Sequence, residues 1–330
     1  MRAPFAVDAL ECPPGEKVWG HIQLPAGADG EPYRCPIAVV HGRQDGPVLF
    51  VGGGTHGEEL NGIESARRLA VEVDPEHIAG TLIVVPVQNP PAYLAFQHTT
   101  PWDDGDLGKA YPGSSEGSLT ERIAYRLFES VISRANAAID IHSAMKWGSE
   151  YPQCIVLAGS EEVHRTAAEI ARCFPFRAIV SVRQEHLTLH FGPAYRRSLF
   201  FLLTERGIPS VLVEIGEGGK LNVSYVELAL AGLQNAMRHL GMLPGAVEEY
   251  SEPVWTNEML NVRSPTGGLL YLYVQEGEIV RAGDLVGKVV AVPDNETPIR
   301  APSDGLVLRV ATRGVVVPGD RVVVLGAMGR

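Results

Sequence analysis

Between about Pro36 and Glu214, short β-branched apolar runs alternate with stretches whose apolar positions recur at helical spacing. The runs "IAVVHG" (37–42) and "VLFVGGG" (48–54) flank a turn at Asp45-Gly46-Pro47 and read as strands. The stretch after them places Ile63, Ala66, Leu69 and Ala70 on one face, three and four apart, as in an amphipathic helix. Residues 81–87 ("TLIVVPV") form a continuous apolar run, which suits a strand buried on both faces. Residues 119–134 predict a second amphipathic helix with Thr120 as its candidate N-cap. Further strands are predicted at 137–143, 153–159 and 209–216, and helices at 161–173, 193–206 and 222–240. The alternation predicts an α/β fold, a mixed sheet flanked by helices.

From Ser264 to Met328 the helical period is lost and a pseudo-repeat replaces it. Gly277, Val280, Gly283, Asp284 and Val286 recur as Gly314, Val317, Gly319, Asp320 and Val322, with one residue fewer before Gly319. Two such units predict a small all-β barrel-sandwich, and the pattern resembles biotinyl and lipoyl carrier domains. In those domains a hairpin-tip lysine carries the prosthetic group. Asp294 stands at that place, which argues against a carrier role and leaves a structural, oligomerising or site-covering one.

Composition narrows the partners. The 330 residues are 45% hydrophobic and carry a formal net charge of -11, with no Lys/Arg run longer than a pair. A nucleic-acid backbone or an anionic membrane is a poor match for that surface. No window approaches a membrane span, and no signal-like apolar run follows the N-terminus, so a cytoplasmic location is expected. Cys12, Cys35, Cys154 and Cys173 are scattered and read as buried thiols.

Three short stretches carry candidate chemistry: His56-Gly57-Glu58-Glu59, Asp140-Ile141-His142-Ser143 and Val213-Glu214-Ile215-Gly216. Each lies where a buried strand gives way to a loop, the edge of an open α/β sheet at which ligands gather. His56 and Glu59 can meet one ion across a strand-to-helix turn, and a histidine from another strand would complete a three-ligand site. Glu214 ends the apolar run "SVLV", where a carboxylate is costly unless paired or functional. The glycines before His56 invite comparison with a phosphate loop, but the spacing and the Lys-Ser/Thr of that motif are absent.

Taken in order, "GGTHGEE" (53–59), "DIHS" (140–143) and "VEIGEGG" (213–219) resemble the succinylglutamate desuccinylase/aspartoacylase family, relatives of the zinc carboxypeptidases. The resemblance covers about residues 36–245, and the β tail also resembles that family's C-terminal domain. It implies a carboxypeptidase-like catalytic domain (36–245) between an N-terminal β-rich extension (1–35) and a C-terminal β-sandwich (246–330). It implies one Zn2+ per chain, held by His56, Glu59 and His142. Asp140 would orient a ligand histidine, assigned to His56. Glu214 would take a proton from zinc-bound water attacking an amide carbonyl and pass it to the leaving amine. The implied reaction removes an N-acyl group from a small amino-acid-like or amine substrate. A metallocarboxypeptidase, and a zinc-bound ligand-binding protein without turnover, are the alternatives. Oligomeric state stays open, with the β tail a candidate assembly surface.

One segment departs from the family pattern. "HTTPWDDGDLGKAYPG" (98–113) places His98 where relatives carry an arginine that polarises the scissile carbonyl, and Gly108-Lys109 where they carry an Asn-Arg pair that holds a substrate carboxylate. Lysine is a point charge and lacks the guanidinium's two-pronged grip. Either the substrate lacks the usual carboxylate or Lys109 binds it less rigidly. His98 is retained as a catalytic candidate. Lys109, Tyr111, Tyr195 and Arg196 are the substrate-binding candidates. His186 and His190 would share a face of a strand and read as pocket lining or a solvated face.

Overall fold

The structure, a computed structural model, describes residues 2–328. Strands β1 (Phe5–Val7) and β2 (Leu10–Cys12) form a small antiparallel pair. The long strands β3 (Glu16–Ala26) and β4 (Pro32–His41) lead to β5 (Gln44–Gly53), α1 (Leu60–Glu72), β6 (Ala79–Val85) and α2 (Pro90–Ala95). Then come α3 (Leu119–Ser130), β7 (Ala137–His142), β8 (Gly148–Leu157), α4 (Glu162–Arg172) and β9 (Ala178–Val182). The helices α5 (Gln184–Phe191) and α6 (Leu199–Glu205) precede β10 (Ser210–Glu217) and α7 (Val223–His239). The main path of the large sheet between β3 and β8 runs β3-β4-β6-β5-β7-β10-β8. Strands β5, β7 and β10 are parallel neighbours, and β8 is antiparallel to β10.

Both sheet faces are covered, which is why the central strands are apolar on both sides. On one face Ala66 and Leu69 of α1, Ile170 of α4 and Leu230 and Leu233 of α7 pack into one buried cluster. On the other, Ile123 and Leu127 of α3 and Leu199 and Leu203 of α6 form a second cluster.

The C-terminal part is all β among the described residues. It holds β11 (Val254–Thr256), β12 (Met259–Arg263), β13 (Gly268–Leu272), β14 (Ile279–Val280), β15 (Leu285–Ala291), β16 (Asn295–Arg300), β17 (Gly305–Ala311), β18 (Val315–Val316) and β19 (Arg321–Ala327). Strands β13, β15, β16 and β18 make a separate four-stranded sheet. By contrast, β12, β19 and β17 continue the large sheet, because β17 pairs antiparallel with β8. That seam puts Arg309 opposite Glu150.

Local details differ from the sequence expectations. The N-cap of α3 is Ser118, in a reciprocal capping box with Glu121, while the Thr120 hydroxyl donates to Asp103. The predicted helix 193–206 is broken at Ser198: residues Pro193–Arg197 form a 3-10 turn and α6 begins after it. His186 lies on helix α5 rather than on a strand, so His186 and His190 do not alternate along one sheet face. The side chain of His190 lies outside the described residues. Among the described residues, no helix is long and apolar enough to cross a membrane.

Candidate active site

The three sequence motifs meet because β5, β7 and β10 are adjacent parallel strands whose carboxyl ends lie together. His142 ends β7 and sits in register with Glu214 of β10. The chain leaving β5 turns at Gly54, with φ +63°, a conformation that glycine adopts without strain. It then passes α2 so closely that a Cβ on Gly57 would fall 2.0 Å from the Ala92 carbonyl oxygen. These two constraints hold His56 and Glu59 over the strand ends, and Glu59 becomes the N-cap residue of α1.

His56 Nδ1 lies 2.7 Å from Glu59 Oε1, and His142 Nδ1 lies 2.9 Å from Glu59 Oε2. Donor atoms of His56, Glu59 and His142 all fall within 4.8 Å of one another, and all three residues are buried. Each imidazole has a carboxylate on its far nitrogen: Nε2 of His56 meets Asp106 at 3.0 Å, and Nε2 of His142 meets Asp140 at 3.0 Å. Asp140 therefore supports His142, not His56 as expected; the strand alternation puts residues 140 and 142 on one face. Asp106 takes the place beside His56. It was hidden in the "DDGDLG" run, where its acidity was the available signal. Burial opposes protonation of His56, but Glu59 and Asp106 outweigh it and hold its pKa up at about 9.

Behind this cluster runs a chain of buried polar contacts. The Tyr111 hydroxyl donates to Gln88 Oε1 at 2.9 Å, and the Gln88 amide donates to Asp140 Oδ1 at 2.7 Å and to Thr55 Oγ1 at 2.8 Å. Tyr111 is fully buried, so it holds the floor of the site instead of facing the cavity.

Glu214 faces the same cavity as the cluster, and its Oε2 is buried with no hydrogen-bond partner. Burial, reinforced by the nearby Glu150, pushes its pKa well above the ordinary glutamate range. His98 stacks on His56 with ring centroids 3.6 Å apart, and its Nε2 is 3.8 Å from Asp106. Burial and the neighbouring His56 lower its pKa, which favours the neutral imidazole. Lys109 lies over the Tyr195 ring, 5.2 Å from its centroid, with its ammonium donating to Asp106 at 2.7 Å. Both residues line the cavity. Arg196 does not line it: it is exposed on the 3-10 turn, facing Gln184.

The cavity holds about 530 Å³. Its opposite wall comes from the C-terminal strands, with Asn261, Arg263, Arg309, Arg313 and Arg321 among its lining. None of these was singled out in the sequence. Their place depends on the pairing of β17 with β8, for which no local pattern speaks.

Fold and site together place the chain among α/β proteins with a charged cleft at the carboxyl edge of the central strands. Residues 45–240 match the succinylglutamate desuccinylase/aspartoacylase catalytic domain, and the chain belongs to that family. The N-alpha-acetyl-L-2,4-diaminobutyric acid deacetylase of Halomonas elongata is 28% identical over 321 residues, covering 93% of this chain and 90% of that one. The product-bound ectoine utilization protein EutE of Ruegeria pomeroyi superposes with a TM-score of 0.87 at 26% identity, over 99% of this chain and 100% of that one. A succinylglutamate desuccinylase from a Silicibacter species gives a TM-score of 0.86 at 25% identity, over 98% of each chain.

Proposed function

We propose that the chain hydrolyses the amide bond of an N-acylated amino acid, with one zinc ion held by His56, Glu59 and His142 and with Glu214 as proton carrier. The observation that carries this reading is the convergence of three buried residues with nitrogen and oxygen donors beside a glutamate whose buried Oε2 has no hydrogen-bond partner, in one cavity. The donor set suits zinc, since two histidines and one carboxylate leave room for a further ligand. Asp106 and Asp140 fit the same reading, because each fixes the tautomer and ring orientation of one histidine. The name of the Halomonas relative supports an N-acetyl amino acid as the substrate class.

When bound, zinc supplies Lewis acidity toward the amide oxygen and toward water. The chain's own residues handle the proton. Glu214 accepts one from the water whose oxygen joins the acyl carbon, and returns it to the nitrogen as the C–N bond breaks. The products are a carboxylic acid and an amine. His98, a half-buried imidazole stacked on His56, can donate an N–H to the oxygen on which charge develops.

Elemental analysis and an acetate-release assay with Nα-acetyl-L-2,4-diaminobutyrate test the reading. Wild type should carry one zinc per chain. Glu214→Gln should keep that zinc and lose turnover by about 10²–10⁴-fold. A metal content well below one per chain after zinc loading, or a Glu214→Gln rate near wild type, would overturn it.

A further inference from the structure

The wall of the cavity facing the histidine cluster is unusually cationic for a chain with net charge -11. Six basic side chains line the cavity: Lys109, Lys146, Arg263, Arg309, Arg313 and Arg321. Lys109, Lys146 and Arg313 each hold a carboxylate. Lys109 holds Asp106, Lys146 reaches the Phe96 carbonyl oxygen and Glu58, and Arg313 pairs with Asp320 at 2.5 Å. Arg263, Arg309 and Arg321 come from three neighbouring strands, β12, β17 and β19, and Arg263 donates to the Gly319 carbonyl oxygen at 2.8 Å.

Their arrangement opposes folding economy. Arg263 and Arg321 are direct cross-strand partners, and like charges so placed repel. Arg309 is largely buried on the next strand, with its guanidinium seated over the bare α-carbon of Gly148. A Cβ there would fall 2.6 Å from its Nη2. The carboxylate of Glu150 is 3.6 Å from Arg309, beyond a hydrogen bond. Burial also pushes the Glu150 carboxyl up to about 7, so it supplies only part of a negative charge at neutral pH. Arg309 and Arg263 in turn add to burial in disfavouring the charge on Arg321. Crowded guanidiniums in a cavity wall are stabilised when an anion joins them, and their planar forks suit a carboxylate.

We propose that Arg263, Arg309 and Arg321 form a carboxylate-binding subsite, supplied by the C-terminal strands, that selects acyl-amide substrates bearing a free carboxylate. The proposal rests on the deacylase reading for its substrate class. Glu214 lines the same cavity as Arg263, Arg309 and Arg321, so the subsite and the proton carrier share one chamber. The segment in which sequence placed carboxylate binding cannot do this work alone. Gly108 has no side chain and the Lys109 ammonium is bonded to Asp106. The carboxylate could belong to the amine half of the substrate or to the acyl half.

Calorimetric binding to the full-length, zinc-loaded protein decides the matter, with Glu214→Gln as background to suppress turnover. Three probes are compared: Nα-acetyl-L-2,4-diaminobutyrate, its C-terminal carboxamide, and N-succinyl-butylamine, whose carboxylate is on the acyl side. Adding Arg321→Met should weaken binding of a carboxylate probe by about ten- to hundredfold and change that of the carboxamide little. Loss confined to the first probe assigns the amine-side carboxylate, and loss confined to the third assigns the acyl-side one. Arg321→Lys, which keeps the charge and guards against a folding defect, should recover only part of the affinity. Equal affinities of all three probes for the Arg321→Met and parent proteins, or equal losses across all three, would overturn the proposal. Absence of turnover by wild type alongside Arg321-dependent binding would remove the deacylase reading and leave the subsite standing.

Discussion

At the scale of single residues, the site divides into groups that the chain's local pattern announces and groups that only the fold reveals. His56, Glu59, His142 and Glu214 stand at strand ends, where apolar runs stop, and their types alone suggest metal and proton chemistry. Asp106 is equally polar and lies within the segment 98–113 already under suspicion. Nothing in one dimension says that it turns back onto His56 across 50 residues. Its contact makes a prediction: Asp106→Asn and Asp140→Asn should each weaken zinc affinity by about 10–100-fold, measured by chelator competition. Unchanged affinity in both would show that the far nitrogens of the histidines need no carboxylate. Glu214 makes another. It must be ionised to accept a proton, and its pKa is held above the ordinary 4.5 by burial and by Glu150. Activity should therefore rise with pH along an acid limb displaced upward from 4.5. Replacing Glu150 by Gln removes a neighbouring negative charge, so the limb in kcat/KM should move to lower pH. A limb that stays in place or moves up would sever the coupling between the two carboxylates.

At the scale of elements, most helices and strands were legible because period and burial agree. The apolar run 82–85 lies within β6, covered on both faces; residues 63, 66, 69 and 70 become the buried stripe of α1. The failures are where short-range chemistry competes with period. "EHLTLH" alternates like a strand, yet it forms α5, whose Leu187 packs against Phe200 and Phe201 of α6 and the ends of β8 and β9. The helix expected over 193–206 breaks at Ser198 after a turn that opens on Gly192 and Pro193. The contact that matters most for the site is between α1 and β7. A Cβ on Gly62 would lie 2.2 Å from the carbonyl oxygen of Ile141, the residue before His142. Gly62→Ala should push α1 away from β7 and cost about 1–3 kcal/mol. It should also separate Glu59 from His142, lowering zinc content together with thermal stability. A variant that melts as wild type and binds zinc normally would show that the two elements can part without disturbing the ligands.

At the scale of the whole molecule, the change in character from Ser264 onward and the resemblance-implied boundary at 246 suggested a C-terminal β-sandwich unit, and the pairing of β17 with β8 carries hydrogen bonding across that boundary. One buried cluster draws Ile155 and Leu157 from β8, Val180 and Val182 from β9, and Leu306, Leu308 and Val324 from the C-terminal strands. Burying each such side chain is worth about 1.5–3 kcal/mol, so three of them rival the whole margin of about 5–15 kcal/mol by which a protein is stable. Deleting residues 246–330 would also uncover the apolar edge of β9 at Ala178–Val180, which β11 covers, free β8 of its partner at Gly148–Glu150, and remove one wall of the cavity. The fragment 1–245 should therefore fail to form a cooperatively folded, monodisperse protein. The full chain should unfold in one transition, with calorimetric and van't Hoff enthalpies in agreement. A fragment that folds, binds zinc and keeps its activity would reduce the C-terminal strands to an appendage. It would also strip the arginine wall of any part in catalysis, because the cavity would then work with that side open to water.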